Sequence, residues 1–201
     1  MKEQYKNLPL RSGVGIVVLN QEDKIFVAKR IDNPKNFWQM PQGGIDEGED
    51  FLTAAYRELK EETSITKVEL IKELDGFITY ELPDHLLGII WKGKYKGQKQ
   101  KWFIMKFTGE DSEINIKTKK PEFLEWKWIE LESLTKVVVD FKLHVYQEIK
   151  KKLELGNSIV VDNTNPDVNS RKIYIDLANQ FNIKINSFYF RTEISLCKLL
   201  N

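Results

Sequence analysis

Residues 43–65, which read GGIDEGEDFLTAAYRELKEETSI, constrain the fold of this chain more than any other segment. The segment begins within a glycine-rich loop, residues 41–48, and continues into an amphipathic stretch. Asp50 or Thr53 can cap the first turn of a helix there, and the apolar spacing extends that helix to about Thr63. The segment therefore predicts a tight loop that leads directly into a capped helix with one buried side.

Three carboxylates of this helix, Glu58, Glu61 and Glu62, follow one another at spacings of i, i+3 and i+4. Side chains at those spacings lie on one helix face, where like charges destabilise the helix unless a cation lies between them. A divalent metal ion is the simplest such cation, and oxygen ligands without a nearby histidine or cysteine favour Mg²⁺ or Mn²⁺ over zinc. Taken alone, the same triplet is more often an acidic helix face in contact with water.

The composition narrows the class of protein. A chain of 201 residues accommodates one domain of about 150 residues and an appendage. The 31 basic and 30 acidic residues nearly balance, which argues against a general nucleic-acid coat protein, and we expect no DNA-specific binding. Cys197 is the single cysteine, so an intramolecular disulfide is excluded. The chain has no apolar run of membrane-spanning length and no apolar signal core at its start, so we expect a cytoplasmic protein without a membrane partner.

The rest of the chain alternates apolar runs with turn residues, as in an α/β protein. A second amphipathic helix is predicted over residues 140–155, because apolar side chains recur every four residues with lysines opposite them. The periodicity and composition also predict six strands, at residues 13–19, 24–30, 66–73, 76–82, 101–107 and 124–129.

The segment starting at Gly43 resembles the signature of the Nudix hydrolases. The matching positions are Gly43, Glu49, Arg57, Glu58, Leu59, Glu61, Glu62 and Ile65. Ser64 departs from the pattern, because the family has a glycine there that ends the helix in a left-handed turn. We expect this departure to cost some stability and to leave the chemistry intact. The resemblance covers residues 8–155 and implies an α/β/α sandwich with a mixed sheet.

The resemblance also implies a chemistry. Nudix enzymes hydrolyse a nucleoside diphosphate linked to another group, with divalent ions that neutralise the phosphates and activate water. It implies that Glu58 and Glu62 are metal ligands, with Glu61 as a third ligand or a base, and that Arg57 pairs with Glu49 to hold the loop against the helix. The Gly43 carbonyl often completes the metal shell in this family. A nucleotide or RNA sensor with a Nudix fold is the non-enzyme alternative, but the loss of metal ligands expected of such a sensor is not seen in this sequence.

Four further strings match one subgroup more closely. They are WQMPQGG at 38–44, GQKQKWF at 97–103, PEF at 121–123 and WKW at 126–128. They resemble the bacterial RNA pyrophosphohydrolases, which implies removal of pyrophosphate from 5′-triphosphorylated RNA, the initiating step of RNA decay. Closely similar dinucleoside polyphosphate hydrolases, acting on molecules such as diadenosine tetraphosphate, are the alternative. Glu122 is a general-base candidate by the same resemblance, or otherwise an ordinary exposed loop carboxylate.

Seven side chains are candidates for substrate contacts. Arginines match phosphate geometry, lysines and glutamine can line a phosphate channel, and aromatic faces stack on unpaired bases. The candidates are Arg11 and Arg30 for the terminal phosphates, Gln98, Lys99 and Lys101 for the channel, and Tyr80 and Phe141 for the bases. Lysines and aromatics also alternate over residues 91–102, which predicts either a surface that faces RNA or a solvated hairpin edge guarded by lysine.

Residues 157–201 depart from this pattern. Strands are predicted at 158–162 and 186–190, a turn at 163–166 and a helix at 167–181, a βαβ arrangement that resembles the later half of a polynucleotide kinase P-loop domain. The chain has no GxxxxGK[ST] phosphate loop, so this fragment is not expected to bind nucleotide as a kinase does. We expect it to pack on the first domain or on another chain, or to be poorly stable, either as a fused gene remnant or as an added RNA-contact module.

Overall fold

The computed structural model of the chain describes residues 5–32 and 37–155, together with Lys172 and Asp176. The chain divides into two compact units, residues 1–157 and 158–201. The strands and the turn predicted between residues 157 and 201 lie outside the described residues. Of the helix predicted there, only Lys172 and Asp176 are described, and both are helical and exposed.

Seven strands and two α-helices are found in the described part of the first unit. In chain order they are β1 (Leu10–Leu19), β2 (Ile25–Arg30), β3 (Gln42–Gly44), α1 (Phe51–Thr63), β4 (Val68–Glu73), β5 (Ile78–Glu81), β6 (Gly97–Phe107), β7 (Phe123–Ile129) and α2 (Leu143–Leu155). None of the described helices combines the length and hydropathy that a membrane span requires.

The strands form one mixed sheet in the order β4-β6-β1-β2-β7. The central pair, β1 and β6, is parallel and runs in register from Leu10 opposite Gly97 to Leu19 opposite Lys106. The other pairings are antiparallel, with β3 added to β1 and β5 added to β6. The prediction of a mixed sheet is confirmed.

Alternating side chains of the central strands face two separate apolar layers. Val14, Ile16 and Val18 of β1 pack with α1 in one layer. Val17 packs in the other layer, which also contains Tyr146 and Ile149 of α2. Helices therefore cover both faces of the sheet, as the predicted α/β/α sandwich requires.

Two predictions about the strands were wrong. The loop predicted at residues 41–48 contains a strand, because β3 pairs with β1 over Gly13 to Gly15. The strand predicted at 101–107 begins at Gly97, and residues 97–100 lie inside the sheet, paired with β1 on one side and with β5 on the other. They do not form the solvated hairpin edge that the alternation of lysines and aromatics suggested.

The ends of α1 are fixed by side-chain caps. Of the two predicted caps, Asp50 is the one used, and its carboxylate accepts hydrogen bonds from the backbone N–H groups of Leu52 and Thr53, both at 3.0 Å. Ser64 ends the helix in the left-handed region, with φ of 62°, where the Nudix pattern has glycine. The Ser64 hydroxyl donates a hydrogen bond to the Asn115 carbonyl at 3.0 Å, which offsets part of the backbone strain.

Candidate active site

The glycine-rich strand β3 lies directly against the carboxylate face of α1. A side chain at Gly43 would overlap the Glu58 carboxylate and displace it, so glycine allows this close approach. The Gly43 carbonyl accepts a hydrogen bond of 3.4 Å from the Gln98 side-chain amide, which reaches it from β6. The sheet and the helix thus bring a backbone carbonyl and a carboxylate of the predicted metal site together.

Glu62 is the most deeply buried carboxylate of the helix, with 3% of the residue exposed. One of its oxygens, Oε2, accepts a hydrogen bond from the Gln42 backbone N–H at 3.1 Å. The other, Oε1, is buried without a hydrogen-bond partner among the described residues. Burial raises the pKa of Glu62 well above its ordinary value, and the charges of Glu122 and Glu58 raise it further.

The pKa of Glu58 is raised as well, and burial is again the main cause. Arg57 opposes this rise, because its Nη1 atom lies 3.0 Å from a Glu58 oxygen. The side chain of Glu61 is 61% exposed and lies 3.5 Å from the same Arg57 nitrogen. The structure thus places Glu61 beside Arg57 in solvent, and the described residues contain no group of three carboxylate, histidine or cysteine side chains arranged to hold a metal.

Arg57 clasps the loop against the helix. Its Nε and Nη2 atoms donate to the two oxygens of Glu49 at 2.8 and 2.7 Å, a bidentate pair. Nη2 also donates to the Gly44 carbonyl at 2.9 Å, and Glu49 in turn accepts from the Asp46 backbone N–H at 3.1 Å. Hydrogen bonding to Arg57 lowers the pKa of Glu49 from its ordinary value. The clasp fixes the Gly44 end of β3 relative to Glu58.

The donor set fits a divalent cation. Two carboxylates with raised pKa, one of them with an unpartnered buried oxygen, lie at a site that offers only oxygen ligands. Burial, which removes hydration, and the repulsion of neighbouring carboxylates raise the pKa values of Glu58 and Glu62. A cation beside these two carboxylates would offset both effects. Glu58, Glu62 and the Gly43 carbonyl are therefore the groups that would hold it.

Glu122 lies directly before β7, next to the end of β2. Its carboxylate lies 3.0 Å from Arg30 Nη1, and its backbone carbonyl accepts from the Ile31 N–H at 2.9 Å. Arg30 is itself oriented by Asp32, whose two oxygens accept from its Nε and Nη2 at 2.6 and 2.7 Å. The loop that carries Glu122 is thus anchored to the end of β2, and its charge reaches Glu62.

Some of the predicted substrate contacts are not available to a ligand. Tyr80 is 4% exposed and donates from its hydroxyl to Gln98 at 2.9 Å, so its ring offers no free face for a base, contrary to the prediction. Phe141 is half-buried beside it, with the ring centroids 5.8 Å apart. Arg11 is half-buried, with its guanidinium carbon 5.6 Å from the centre of the Trp91 ring.

The predicted phosphate channel of Gln98, Lys99 and Lys101 is also not formed. Successive side chains of a strand point to opposite faces, so the two lysines of β6 lie on the face away from Gln98. There Lys99 Nζ lies 4.2 Å from the centre of the Phe77 ring, and Lys101 pairs with Glu73 at 2.6 Å. Gln98 alone of the three contacts Gly43.

A chain of buried amides beside Gly43 was not predicted. The Gln100 amide nitrogen donates to Gln42 at 3.0 Å and to Gln98 at 3.2 Å, and Tyr80 donates to Gln98. These hydrogen bonds join β3, β5 and β6 next to the Gly43 carbonyl. The sequence did contain a signal for this chain of amides. Gln98 and Gln100 are two residues apart in a strand, so their side chains lie on the same strand face.

Lys142 is a second residue that was not predicted. It is 7% exposed, in the turn before α2, and its Nζ lies 4.9 Å from the centre of the Tyr80 ring. Burial, followed by the charge of Arg30, lowers the pKa of Lys142 to about 7. With Arg30, Trp38 and Val139 it lines a small cavity. Its position three residues before Val145 was the available signal that its side chain would be buried.

The chain is similar to curated bacterial proteins. It is 73% identical over 154 residues to the RNA pyrophosphohydrolase of Pelagibacter ubique, an alignment that covers 77% of this chain and 98% of that protein. It is 47% identical over 146 residues to the RNA pyrophosphohydrolase of Rhodospirillum rubrum, covering 73% of this chain and 88% of that protein.

Solved structures share the fold. The E. coli dihydroneopterin triphosphate pyrophosphohydrolase superposes with a TM-score of 0.57 at 23% identity, covering 73% of this chain and 99% of that one. The MutT protein of Methanosarcina mazei gives a TM-score of 0.53 at 17% identity, covering 73% of this chain and 97% of that one. The model of the NUDIX domain matches residues 9–149, a span that contains β3, α1 and the carboxylates they position. The chain therefore belongs to the Nudix hydrolase family.

Proposed function

We propose that this chain is an RNA pyrophosphohydrolase, which removes pyrophosphate from 5′-triphosphorylated RNA and leaves a 5′ monophosphate that initiates RNA decay. The observation that carries the proposal is the 73% identity to the RNA pyrophosphohydrolase of Pelagibacter ubique, because the alignment covers 98% of that protein. Glu58 and Glu62, on which metal-assisted hydrolysis would depend, lie within the span that matches the NUDIX domain. The site of action we propose is the cytoplasm.

The cofactor in this proposal is Mg²⁺ or Mn²⁺. Glu58, Glu62 and the Gly43 carbonyl would hold it, with Glu61 able to join them by leaving Arg57. When bound, a divalent ion neutralises phosphate charge and lowers the pKa of water. The buried amides of Gln98 and Gln100 support the Gly43 carbonyl from behind, and the Arg57 clasp keeps the loop from moving away from the helix.

The protein's own acid–base group in this proposal is Glu122. A water oxygen attacks a phosphorus of the 5′ chain, its proton passes to the Glu122 carboxylate, and the bond from phosphorus to the leaving pyrophosphate oxygen breaks. Arg30 holds Glu122 at 3.0 Å and keeps the loop close to the carboxylate site. Glu61 is the alternative base, because it is exposed at the same helix face.

Substrate binding in this proposal uses cations and one aromatic ring. Arg11 would meet the terminal phosphates, and Arg30 would meet phosphate on releasing part of its contact with acidic neighbours. The exposed part of Phe141 would stack on a base. Tyr80 contributes indirectly, through its hydrogen bond to Gln98.

The test is pyrophosphate and phosphate release from 5′-triphosphorylated RNA with Mg²⁺, compared with hydrolysis of diadenosine tetraphosphate. We expect metal-dependent pyrophosphate release by the wild-type chain and its loss in Glu62→Gln. Glu69→Gln is the matched control, because Glu69 is an exposed glutamate of β4 outside the site. Rapid hydrolysis of the dinucleotide with little RNA turnover would move the assignment to a dinucleoside polyphosphate hydrolase. If neither substrate is hydrolysed, the proposal is refuted.

A further inference from the structure

Arg11 differs from the other two arginines near the site in having no acidic partner. Arg57 pairs with Glu49, and Arg30 pairs with Asp32 and Glu122. Among residues 5–32 and 37–155, no carboxylate lies within ion-pair distance of Arg11. Its guanidinium therefore keeps its hydrogen-bond donors available for an anion that is not part of the described chain.

The Arg11 guanidinium nevertheless lies close to the carboxylate site. A side chain at Gly44 would collide with the Arg11 guanidinium, so the arginine lies directly against the glycine-rich strand. Gly44 is the neighbour of Gly43, which contacts Glu58. The Arg11 cation is thus placed beside the carboxylate site, at a position where a phosphate held at that site would meet it.

Trp91 covers this guanidinium on another side. The Arg11 Cζ atom lies 5.6 Å from the centre of the Trp91 ring, within the range of a cation–π contact. A contact between a guanidinium and an aromatic ring occupies none of the N–H donors of the arginine, whereas an ion pair would occupy some of them. A ring is therefore a support that fixes the arginine without competing with an anionic ligand.

The backbone at Trp91 is strained. Trp91 and Lys92 both lie in the left-handed region, with φ of 51° and 57°, between Gly88 and Gly93, which also have positive φ. A left-handed conformation is costly for a residue with a Cβ, and glycine would adopt it freely. A bulky tryptophan held there indicates that the side chain has a role which outweighs the backbone cost.

We propose that Trp91 is a positioning residue for substrate binding, which holds the Arg11 guanidinium in place for the terminal phosphate of the polyphosphate chain. This inference rests on the proposed function for the identity of the substrate. Trp91 itself does not touch the reacting atoms. Its removal should therefore weaken substrate binding through Arg11 and leave the chemical step nearly unchanged.

A double-mutant cycle tests the coupling. The variants are Trp91→Leu, Arg11→Gln and the pair together, with KM and kcat measured for 5′-triphosphorylated RNA. We expect Trp91→Leu to raise KM about three- to tenfold with kcat within about twofold. In the Arg11→Gln background the same change should have no further effect, because the cation that the ring supports is gone. Trp91→Phe, which keeps an aromatic face, should recover most of the loss.

A binding measurement separates this inference from the proposed function. Titration of inorganic triphosphate into the metal-free protein measures anion binding at Arg11 without turnover, and the same cycle is run on the dissociation constant. If the losses of triphosphate affinity caused by Trp91→Leu and by Arg11→Gln are coupled, the positioning role is supported even if RNA proves to be the wrong substrate. Additive losses of affinity in the two variants, or an unchanged affinity in Trp91→Leu, would overturn the positioning role. Trp126→Leu is the control for general destabilisation, since Trp126 stacks on Phe26 away from Arg11.

Discussion

The Gln42 backbone N–H donates to one oxygen of Glu62 at 3.1 Å and leaves the other oxygen of that carboxylate buried without a partner among the described residues. A half-satisfied buried charge destabilises the protein that carries it. The half-satisfied Glu62 carboxylate lies on the same helix face as Glu58, which Gly43 contacts. The arrangement is understandable if stability has been given up to keep an oxygen available for a cation.

Glu62→Gln should stabilise the metal-free protein, by an amount that depends on pH. The folded pKa of Glu62 is raised, so ionisation costs stability at pH values above the unfolded pKa of about 4.3. Below that pH both states are protonated and the cost vanishes. The difference in melting temperature between Glu62→Gln and wild type, measured with a chelator present, should therefore grow as pH rises from about 4 to 7. A difference that is flat with pH would contradict the assigned cause.

Addition of Mg²⁺ or Mn²⁺ should stabilise the wild-type protein and not Glu62→Gln. A ligand at a hundred times its dissociation constant adds about 2.7 kcal/mol, which corresponds to about 5–10 °C for a domain of this size. Differential scanning fluorimetry over a metal titration measures the shift. Glu69→Gln, with an exposed carboxylate of β4 changed, should respond as wild type does. An equal shift in Glu62→Gln would place the main metal site elsewhere.

Lys142→Met should stabilise the protein most at low and neutral pH. The folded pKa of Lys142 is about 7, whereas an unfolded lysine has a pKa of about 10.4. The unfolded chain therefore binds the proton more tightly between these values, and wild-type stability rises as pH increases through that window. The gain from Lys142→Met should be largest below pH 7 and disappear by about pH 10.5, in chemical denaturation at several pH values. Lys99→Met, at an exposed lysine of β6, is the control for the loss of one positive charge.

Changes at Ser64 should separate backbone strain from its hydrogen bond. Ser64→Ala keeps the left-handed backbone and loses the bond to the Asn115 carbonyl, so it should lower stability by about 0.5–1.5 kcal/mol. Ser64→Gly loses the same bond but relieves the strain, and should remain within about 0.5 kcal/mol of wild type. Thermal unfolding ranks the three proteins, and RNA turnover should be unaffected in all of them. A glycine variant less stable than the alanine variant would refute this account.

Deletion of residues 157–201 should leave turnover largely unchanged. The alignment with the Pelagibacter ubique protein covers 98% of that protein with 154 residues, and the NUDIX match ends at residue 149. The sheet, α1, α2 and every residue assigned to the site precede residue 157. Steady-state kinetics and thermal unfolding of the truncated chain provide the check. Loss of folding on truncation would show that residues 157–201 are integral to the domain.

The sequence was informative where local rules decide the structure. Helix α1, its Asp50 cap and the left-handed residue Ser64 follow from capping preferences and from a motif of fixed spacing. The boundaries of β1 and β2 follow from apolar runs, to within a few residues. These features depend on neighbours within one or two turns of chain, and a single sequence carries that information.

Features that depend on distant contacts were missed. Strand β3 has only three residues, two of them glycine, and it exists because β1 provides a pairing partner. Tyr80 was predicted to stack on a base, but its ring is buried where β5 pairs with β6. The separation of Gln98 from Lys99 and Lys101 requires knowing that residues 97–100 are already in strand. No local pattern encodes these contacts.

The parallel pairing of β1 with β6 has a consequence for how the enzyme is made. Residue 10 pairs with residue 97, so the intervening chain must close a long loop before the centre of the sheet exists. Long-range pairing of this kind slows folding and forms late. The chain loses the entropy of closing the loop before the new contacts provide any stabilisation. Gly43 reaches Gln98 only across that pair. A nascent chain should therefore be unable to attack RNA until residues beyond β6 have left the ribosome.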